Sequence, residues 1–145
     1  MNIKLSDILN SKVKIGLHNS QKSSIDHGFW PFDNDINLYE PSGYSYIEKL
    51  IKIPNIDSAD FDSKYISFSI GPEYLQFNVS VSSETVDSYF LLIEITGNLY
   101  IISGSMDKIY DLGQIDTIKI IDIGFSIDNV KFDQESKDMI VREML

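Results

Sequence analysis

Residues 65–82 read YISFSIGPEYLQFNVSVS, and their alternation decides the expected fold class. Ile66, Phe68 and Ile70 recur at every second position against Tyr65, Ser67 and Ser69. Leu75, Phe77, Val79 and Val81 then do the same against Gln76, Asn78, Ser80 and Ser82. Successive side chains of a strand point to opposite faces, so this period predicts two half-buried strands, 65–70 and 74–82, punctuated at Gly71-Pro72. Toward the C-terminus, Tyr89–Thr96 and Leu99–Ser103 flank Gly97-Asn98. Gly-Asn between apolar runs is a hairpin signal, because the primed turns that match strand twist need positive φ. Ile115–Ile123 and Phe125–Phe132 read as two more strands broken at Gly124. Gln134–Leu145 reads as a closing helix, capped by Asp133, with Met139, Ile140 and Met144 on its apolar side.

Toward the N-terminus, Leu5–Ser11 has the pattern of one or two helical turns with Ser6 as N-cap. Lys12–Leu17 alternates as a strand, with Val13, Ile15 and Leu17 on one face. Tyr44–Ile53 carries helical spacing, with Ile47, Leu50 and Ile51 on one side, and Pro54 ends it. Between them, His18–Ser42 is long, polar and irregular; loops of that length in compact domains are usually functional or hide short elements. Strands in a run with helices at the ends indicate α+β. The expectation is one domain, 1–145, built on an antiparallel meander of five to six strands with flanking helices, one of them C-terminal.

Twelve Lys+Arg against 22 Asp+Glu give a net charge of −10. Such a chain repels phosphate, which argues against nucleic acid as a partner and against anionic membrane surfaces. No basic residue lies between Lys22 and Lys49, or between Lys64 and Lys108, although both stretches hold five acids. A single Arg142 and a single Ala59 beside abundant Ile, Asn and Lys fit an AT-rich coding bias, but the acid excess survives that correction. The absence of cysteine removes disulfides, thiolate metal sites and cysteine nucleophiles. No apolar run approaches the roughly 18 residues of a membrane span, and Met1–Ser20 has no leader pattern. The expected location is the cytoplasm.

Catalytic signatures are missing: there is no G-x-S-x-G, P-loop, G-x-G-x-x-G or H-E-x-x-H. His18 and His27 sit near Asp26, Asp33 and Asp35, but at no metal-ligand spacing, and read as hydrogen-bonded or solvated loop histidines. Asp33-Asn34-Asp35-Ile36-Asn37 opens like a calcium loop, then fails at Leu38 and Tyr44, where a glycine and a glutamate are required. Asx-turn chemistry is the simpler account. The carboxylates at Asp57, Asp60 and Asp62, and at Glu84 and Asp87, are neighbours that 22 acids produce by chance, and acid–base work needs a set separation across a cleft that sequence spacing does not show. No cofactor, metal or catalytic residue is expected.

Gly28-Phe29-Trp30-Pro31-Phe32-Asp33 places three aromatics, including the sole tryptophan, beside a row of acids. Phe29 and Phe32 are expected to plug the core, with Trp30 evenly divided between core and interface. The candidate partner-binding residues are Asp26, Trp30, Asp33, Asp35, Tyr39 and Glu40.

A small, acidic, cysteine-free chain without catalytic motifs resembles the immunity proteins of bacterial toxin systems, including those of contact-dependent growth inhibition. That resemblance implies a cytoplasmic, non-enzymatic binding module that neutralises a cognate toxin domain, often a basic nuclease, by blocking its active site. It carries over no site residues. An acidic DNA mimic is a variant of this reading. A small-molecule-binding or hydrolytic enzyme assembled only in the fold, and a phage or mobile-element structural or adaptor protein, are the alternatives.

Overall fold

A computed structural model describes residues 3–8, 11–25, 28–33, 35–50, 65–115, 117–128, 130–131, 133–135 and 138. In chain order the elements are β1 (Ile3–Lys4), α1 (Leu5–Ile8), β2 (Lys12–His18), β3 (Gly28–Pro31) and β4 (Ile47–Leu50). They continue with β5 (Tyr65–Asn78), β6 (Thr85–Ile95), β7 (Asn98–Asp111), β8 (Thr117–Asp128) and β9 (Val130–Lys131). The protein is mostly antiparallel β-structure. Five strands form one sheet in the order β3-β7-β6-β2-β4, and β5 and β8 form a separate two-stranded ribbon. A short parallel pair joins β1 to β9, Ile3↔Val130 and Lys4↔Lys131.

The sheet is not a meander. β6 is its middle strand, with β7 on one side through a tight hairpin and β2, distant in sequence, on the other. The ribbon lies against the sheet, β5 beside β4 and β8 beside β3 and β7. Alternation then sorts the side chains. Val13, Ile15 and Leu17 of β2 and Leu91, Ile93 and Ile95 of β6 are fully or almost fully buried in one cluster with Ile102 of β7. Leu75 and Phe77 of β5 and Ile118 and Ile123 of β8 belong to the same cluster from the ribbon side. Gln76, Asn78 and Ser80 are exposed, as their alternation requires.

Several expectations are corrected. Residues 47–50, expected within a helix over Tyr44–Ile53, form edge strand β4, paired from Lys12↔Leu50 to Ile15↔Ile47. Its β-branched Ile47 packs on the core, and tertiary pairing overrides a weak local helical period. Ile51–Ile53 lie outside the described residues. The segment His18–Ser42 does hide a short element, strand β3, as a loop of that length allows. Gly71-Pro72 does not end a strand: β5 runs through it with a register shift between Ile70 and Tyr74, a bulge that accommodates a residue without an N–H. It stops at Asn78 rather than Ser82. Gly124 pairs with Ser69 inside the ladder, so β8 is continuous to Asp128 instead of two strands. The hairpin turn is Thr96-Gly97, one residue earlier than expected, with φ of 49° and 81° and Ile95 facing Asn98.

Ser6 lies inside α1 rather than capping it; its amide and hydroxyl donate to the Asp133 carboxylate at 3.3 and 2.7 Å. Of the expected C-terminal helix, Gln134, Glu135 and Asp138 are helical. Its apolar side, Met139, Ile140 and Met144, lies outside the described residues.

Two glycines make room for two rings. Phe90 and Tyr89 are adjacent on β6 and point to opposite faces, each over a cross-strand glycine, Gly16 and Gly104. A Cβ on Gly16 would come within 2.6 Å of Phe90 Cε1 and 2.7 Å of the Tyr44 hydroxyl. One on Gly104 would meet Tyr89 Cζ at 2.5 Å. Phe90 is fully buried and cannot swing aside. Gly16→Ala is therefore expected to cost about 1–3 kcal/mol or more by overpacking. Gly97→Asn, in open space with a φ that Asn tolerates, is expected to change stability little. Urea melts of the two variants test the contrast.

Candidate functional site

The segment after β2 is built on hydrogen bonds rather than on apolar burial. Asn19, itself buried, receives the amides of Gln21 and Lys22 on its side-chain oxygen (3.0 and 3.2 Å). Its side-chain amide donates to the Thr85 carbonyl and hydroxyl (both 3.1 Å). Asp87 of β6 accepts the amide and hydroxyl of Ser20 at 2.8 and 2.5 Å. Burial alone would raise the Asp87 pKa, but the Ser20 and Ser88 hydrogen bonds and nearby His18 outweigh it and hold the carboxyl below its ordinary value. Glu84 receives the Ser42 amide at 3.1 Å. Glu84 and Asp87 thus pin the segment to the sheet.

His18 is fully buried, with Nδ1 3.0 Å from the Ser23 hydroxyl and Nε2 2.8 Å from that of Ser103. The imidazole joins the 19–24 turn to β7. Ser103 is only 5% exposed, so this hydroxyl–imidazole pair is closed to a substrate and serves as structure. His27 lies outside the described residues.

From this anchored turn the chain forms β3 at the edge of the sheet. Phe29 stacks on Tyr100 (centroids 4.9 Å, planes 12° apart) and packs against the core, and Phe32 is half-buried. Trp30, on the opposite face, is 46% exposed. Pairing continues through Phe32 N–H to the Leu99 carbonyl (2.9 Å), after which Asp33 turns the chain. Its side-chain oxygen accepts the Asp35 amide at 2.9 Å, the Asx turn expected of this sequence. The returning chain is stitched to the turn by Ser24 N–H to Asn37 O (2.8 Å) and Asn19 N–H to Tyr39 O (2.9 Å).

Three of the six candidate residues converge. Trp30, Asp33 and Asp35 share an open pocket of about 290 Å³ with Ser24, Pro31 and Ile36. Tyr39 is exposed but outside that pocket, with the Lys22 ammonium 4.7 Å from its ring centre. Glu40 turns inward and accepts the hydroxyls of Tyr44 and Tyr46. Burial first, and the Glu40 hydrogen bond second, raise both phenols, Tyr46 to about 12. The Tyr44 hydroxyl in turn accepts the Leu17 amide at 3.1 Å, occupying the β2 edge beyond the end of β4. Glu40 is thus committed to the fold. Asp26 lies outside the described residues.

Sequence reasoning missed that β3 would hold Trp30 at a sheet edge. Its period-two signal, Phe29 and Pro31 against Trp30, spans only four residues. It missed the Tyr44–Glu40–Tyr46 group as well, since the helical reading of Tyr44–Ile53 scattered those tyrosines.

No family model, curated protein or solved structure matches the chain.

Two outcomes are expected. Trp30→Ala should shift stability by no more than about 0.5 kcal/mol, as at ordinary surface sites, against the roughly 3–5 kcal/mol of a buried aromatic truncation; thermal melts distinguish these. Asp87→Asn should destabilise the protein at neutral pH. The Asp87 contribution is present above the carboxyl's unfolded pKa and is lost as pH falls through its depressed folded value. Stability curves of variant and wild type should therefore converge in acid.

Proposed function

We propose that the chain is a binding module of the immunity-protein kind, which neutralises a cognate, basic, nuclease-type toxin domain by covering its active site. The observation that carries this reading is the pocket at the β3 edge, where a half-exposed Trp30 stands with Asp33 and Asp35 on a chain of net charge −10. An aromatic anchor set among acids meets both requirements of such a partner. The charges steer a cationic surface into encounter, and the ring, once desolvated, slows release. Binding rather than catalysis is supported by the closed His18–Ser103 pair and by carboxylates spent on anchoring. Tyr39 extends the surface, while Glu40 supports it from behind.

The reading includes a cytoplasmic location; no helix among the described residues is long and apolar enough to cross a membrane. It also includes a C-terminal helix over residues 134–145. The helical Gln134, Glu135 and Asp138 support this, with the Gln134 amide donating to Asp138 one turn on (2.9 Å).

The test is co-purification with basic, nuclease-type toxin domains, starting with the C-terminal domain of any large secreted toxin whose gene lies immediately upstream, followed by binding kinetics. Asp33→Asn with Asp35→Asn should lower the association rate and flatten its salt dependence, bringing it toward the roughly 10⁵–10⁶ M⁻¹s⁻¹ of unsteered pairs. Trp30→Ala should speed dissociation with an unchanged melt. Absence of a complex, or variants that bind like the wild type, overturns the proposal.

A further inference from the structure

Both long ladders of the fold are interrupted, and the two interruptions border one cavity. Between Ser88↔Ser105 and Val86↔Tyr110, residues 106–109 of β7 stand against Asp87 alone. Between Ile70↔Ile123 and Tyr74↔Ile121, residues 71–73 of β5 stand against Asp122 alone. Extra residues in a ladder bend the strand and re-aim its side chains, and such bulges recur next to active sites. Here a cavity of about 320 Å³ opens between the sheet and the ribbon, at the lower end of the roughly 300–1,000 Å³ of small-molecule sites. Ser105, Met106, Asp107 and Tyr110 line it from the first interruption, Ile120 and Ile123 from the second. Tyr89, on the ribbon side of β6, and Lys119 of β8 complete the lining.

The lining joins an apolar wall to one charge of each sign. Ile123 is buried in the core cluster, and Met106, Tyr89, Tyr110 and Ile120 pack against that cluster. The cavity is thus an open end of the apolar core. Asp107 and Lys119 are at exposed positions on its two sides, one on β7 and one on β8. Asp107 accepts the Tyr110 hydroxyl at 2.8 Å, and among the described residues neither Asp107 nor Lys119 makes an ion pair. Lys108, the neighbouring cation, lies over the Tyr110 ring, 5.1 Å from its centre, and does not line the cavity. Burial raises the Tyr89 and Tyr110 phenols, Tyr110 further through its bond to Asp107, so both rings stay neutral beside the two charges. A lone cation entering here would meet Lys119, and a lone anion would meet Asp107. A molecule that carries both charges satisfies both.

We propose that this cavity binds a free aromatic α-amino acid. Its carboxylate meets the Lys119 ammonium, and its ammonium meets the Asp107 carboxylate that Tyr110 holds in place. Its ring enters the apolar wall, where two phenol rings and the Met106 thioether offer the edge and sulfur contacts that aromatic groups favour. Removal of that ring from water supplies the affinity, and the two charges fix the orientation. Asp107 reaches the cavity because residues 106–109 leave the ladder, which gives the bulge of β7 a purpose. Trp30 lies on the other face of the sheet, so the amino acid and the proposed toxin domain occupy separate surfaces.

Calorimetric titration of the full chain with L-phenylalanine is the test, beside two derivatives that each lack one charge. N-acetyl-L-phenylalanine keeps the carboxylate alone, and L-phenylalaninamide keeps the ammonium alone. L-phenylalanine should bind saturably at one site and raise the melting temperature, as a ligand of the folded state does. Each derivative should bind about tenfold or more weakly, since one charged group of the site is left without its partner. Lys119→Gln should weaken L-phenylalanine by a similar factor without weakening L-phenylalaninamide. Asp107→Asn, whose side-chain oxygen still accepts the Tyr110 hydroxyl, should weaken L-phenylalanine without weakening N-acetyl-L-phenylalanine. Both positions are exposed, so the unliganded variants should melt as the wild type does. Neither heat nor a melting shift with L-phenylalanine, or variants that bind it as the wild type does, overturns the proposal. Equal or tighter binding of a derivative overturns it too, and marks a peptide terminus as the ligand. The measurement uses the chain alone, so its failure leaves the toxin reading standing.

Discussion

Tyr89 and Phe90 sit side by side at the middle of the central strand β6, and everything around them is arranged so that both rings can lie flat against the sheet. Consecutive residues of a strand point to opposite faces, so one ring goes to each side. A ring that lies across its neighbouring strand needs that strand to offer no Cβ. Gly104 of β7 and Gly16 of β2 are the residues in register. This pairing constrains the strand order as well as the packing. A slip of one residue against β7 would turn the Tyr89 ring onto Ser103 or Ser105, whose side chains leave no space beneath it.

The two faces created by this arrangement are stabilised differently. On the Tyr89 side, Val13, Ile15, Leu91 and Ile93 meet the ribbon of β5 and β8 in an apolar core, where area removed from water provides the stabilisation. On the Phe90 side the cover is a polar segment with few apolar residues to bury. It is held by Asn19, Ser20, Ser23 and the acids Asp87 and Glu84, each with its hydrogen bonds made. A buried polar group left without a partner costs more than its bond gains, so this network specifies one conformation of the segment. That is how a long irregular stretch comes to hold β3, and with it Trp30, at a defined edge.

Holding Trp30 on β3 separates three neighbouring aromatics by function. Phe29 and Trp30 face opposite ways because they are adjacent in a strand; Phe29 stacks on Tyr100 while Trp30 meets solvent. Asp33 and Asp35 follow beyond the strand end, where an Asx turn keeps both carboxylates at the surface. The acidic and aromatic characters of the segment, adjacent in the sequence, are thereby adjacent in space as well. Glu40, close in sequence, is drawn instead into the phenol pair of Tyr44 and Tyr46.

The sequence by itself determined what depends on near neighbours. The alternations in β2 and β5 are visible because a buried face repeats every second residue, the Asx turn because its partners lie two residues apart, and the acid excess because charge is a sum. The tertiary structure alone decided what depends on pairing across distance. β4 is a strand because Lys12–Ile15 offers it an edge, not because 47–50 favours one. Gly71-Pro72 is a bulge because β8 runs unbroken beside it. The order β3-β7-β6-β2-β4 follows from Gly16 meeting Phe90 across more than seventy residues, and no local pattern encodes a contact of that separation. The outward turn of Trp30 belongs with these, since it depends on which strand β3 joins and in which register.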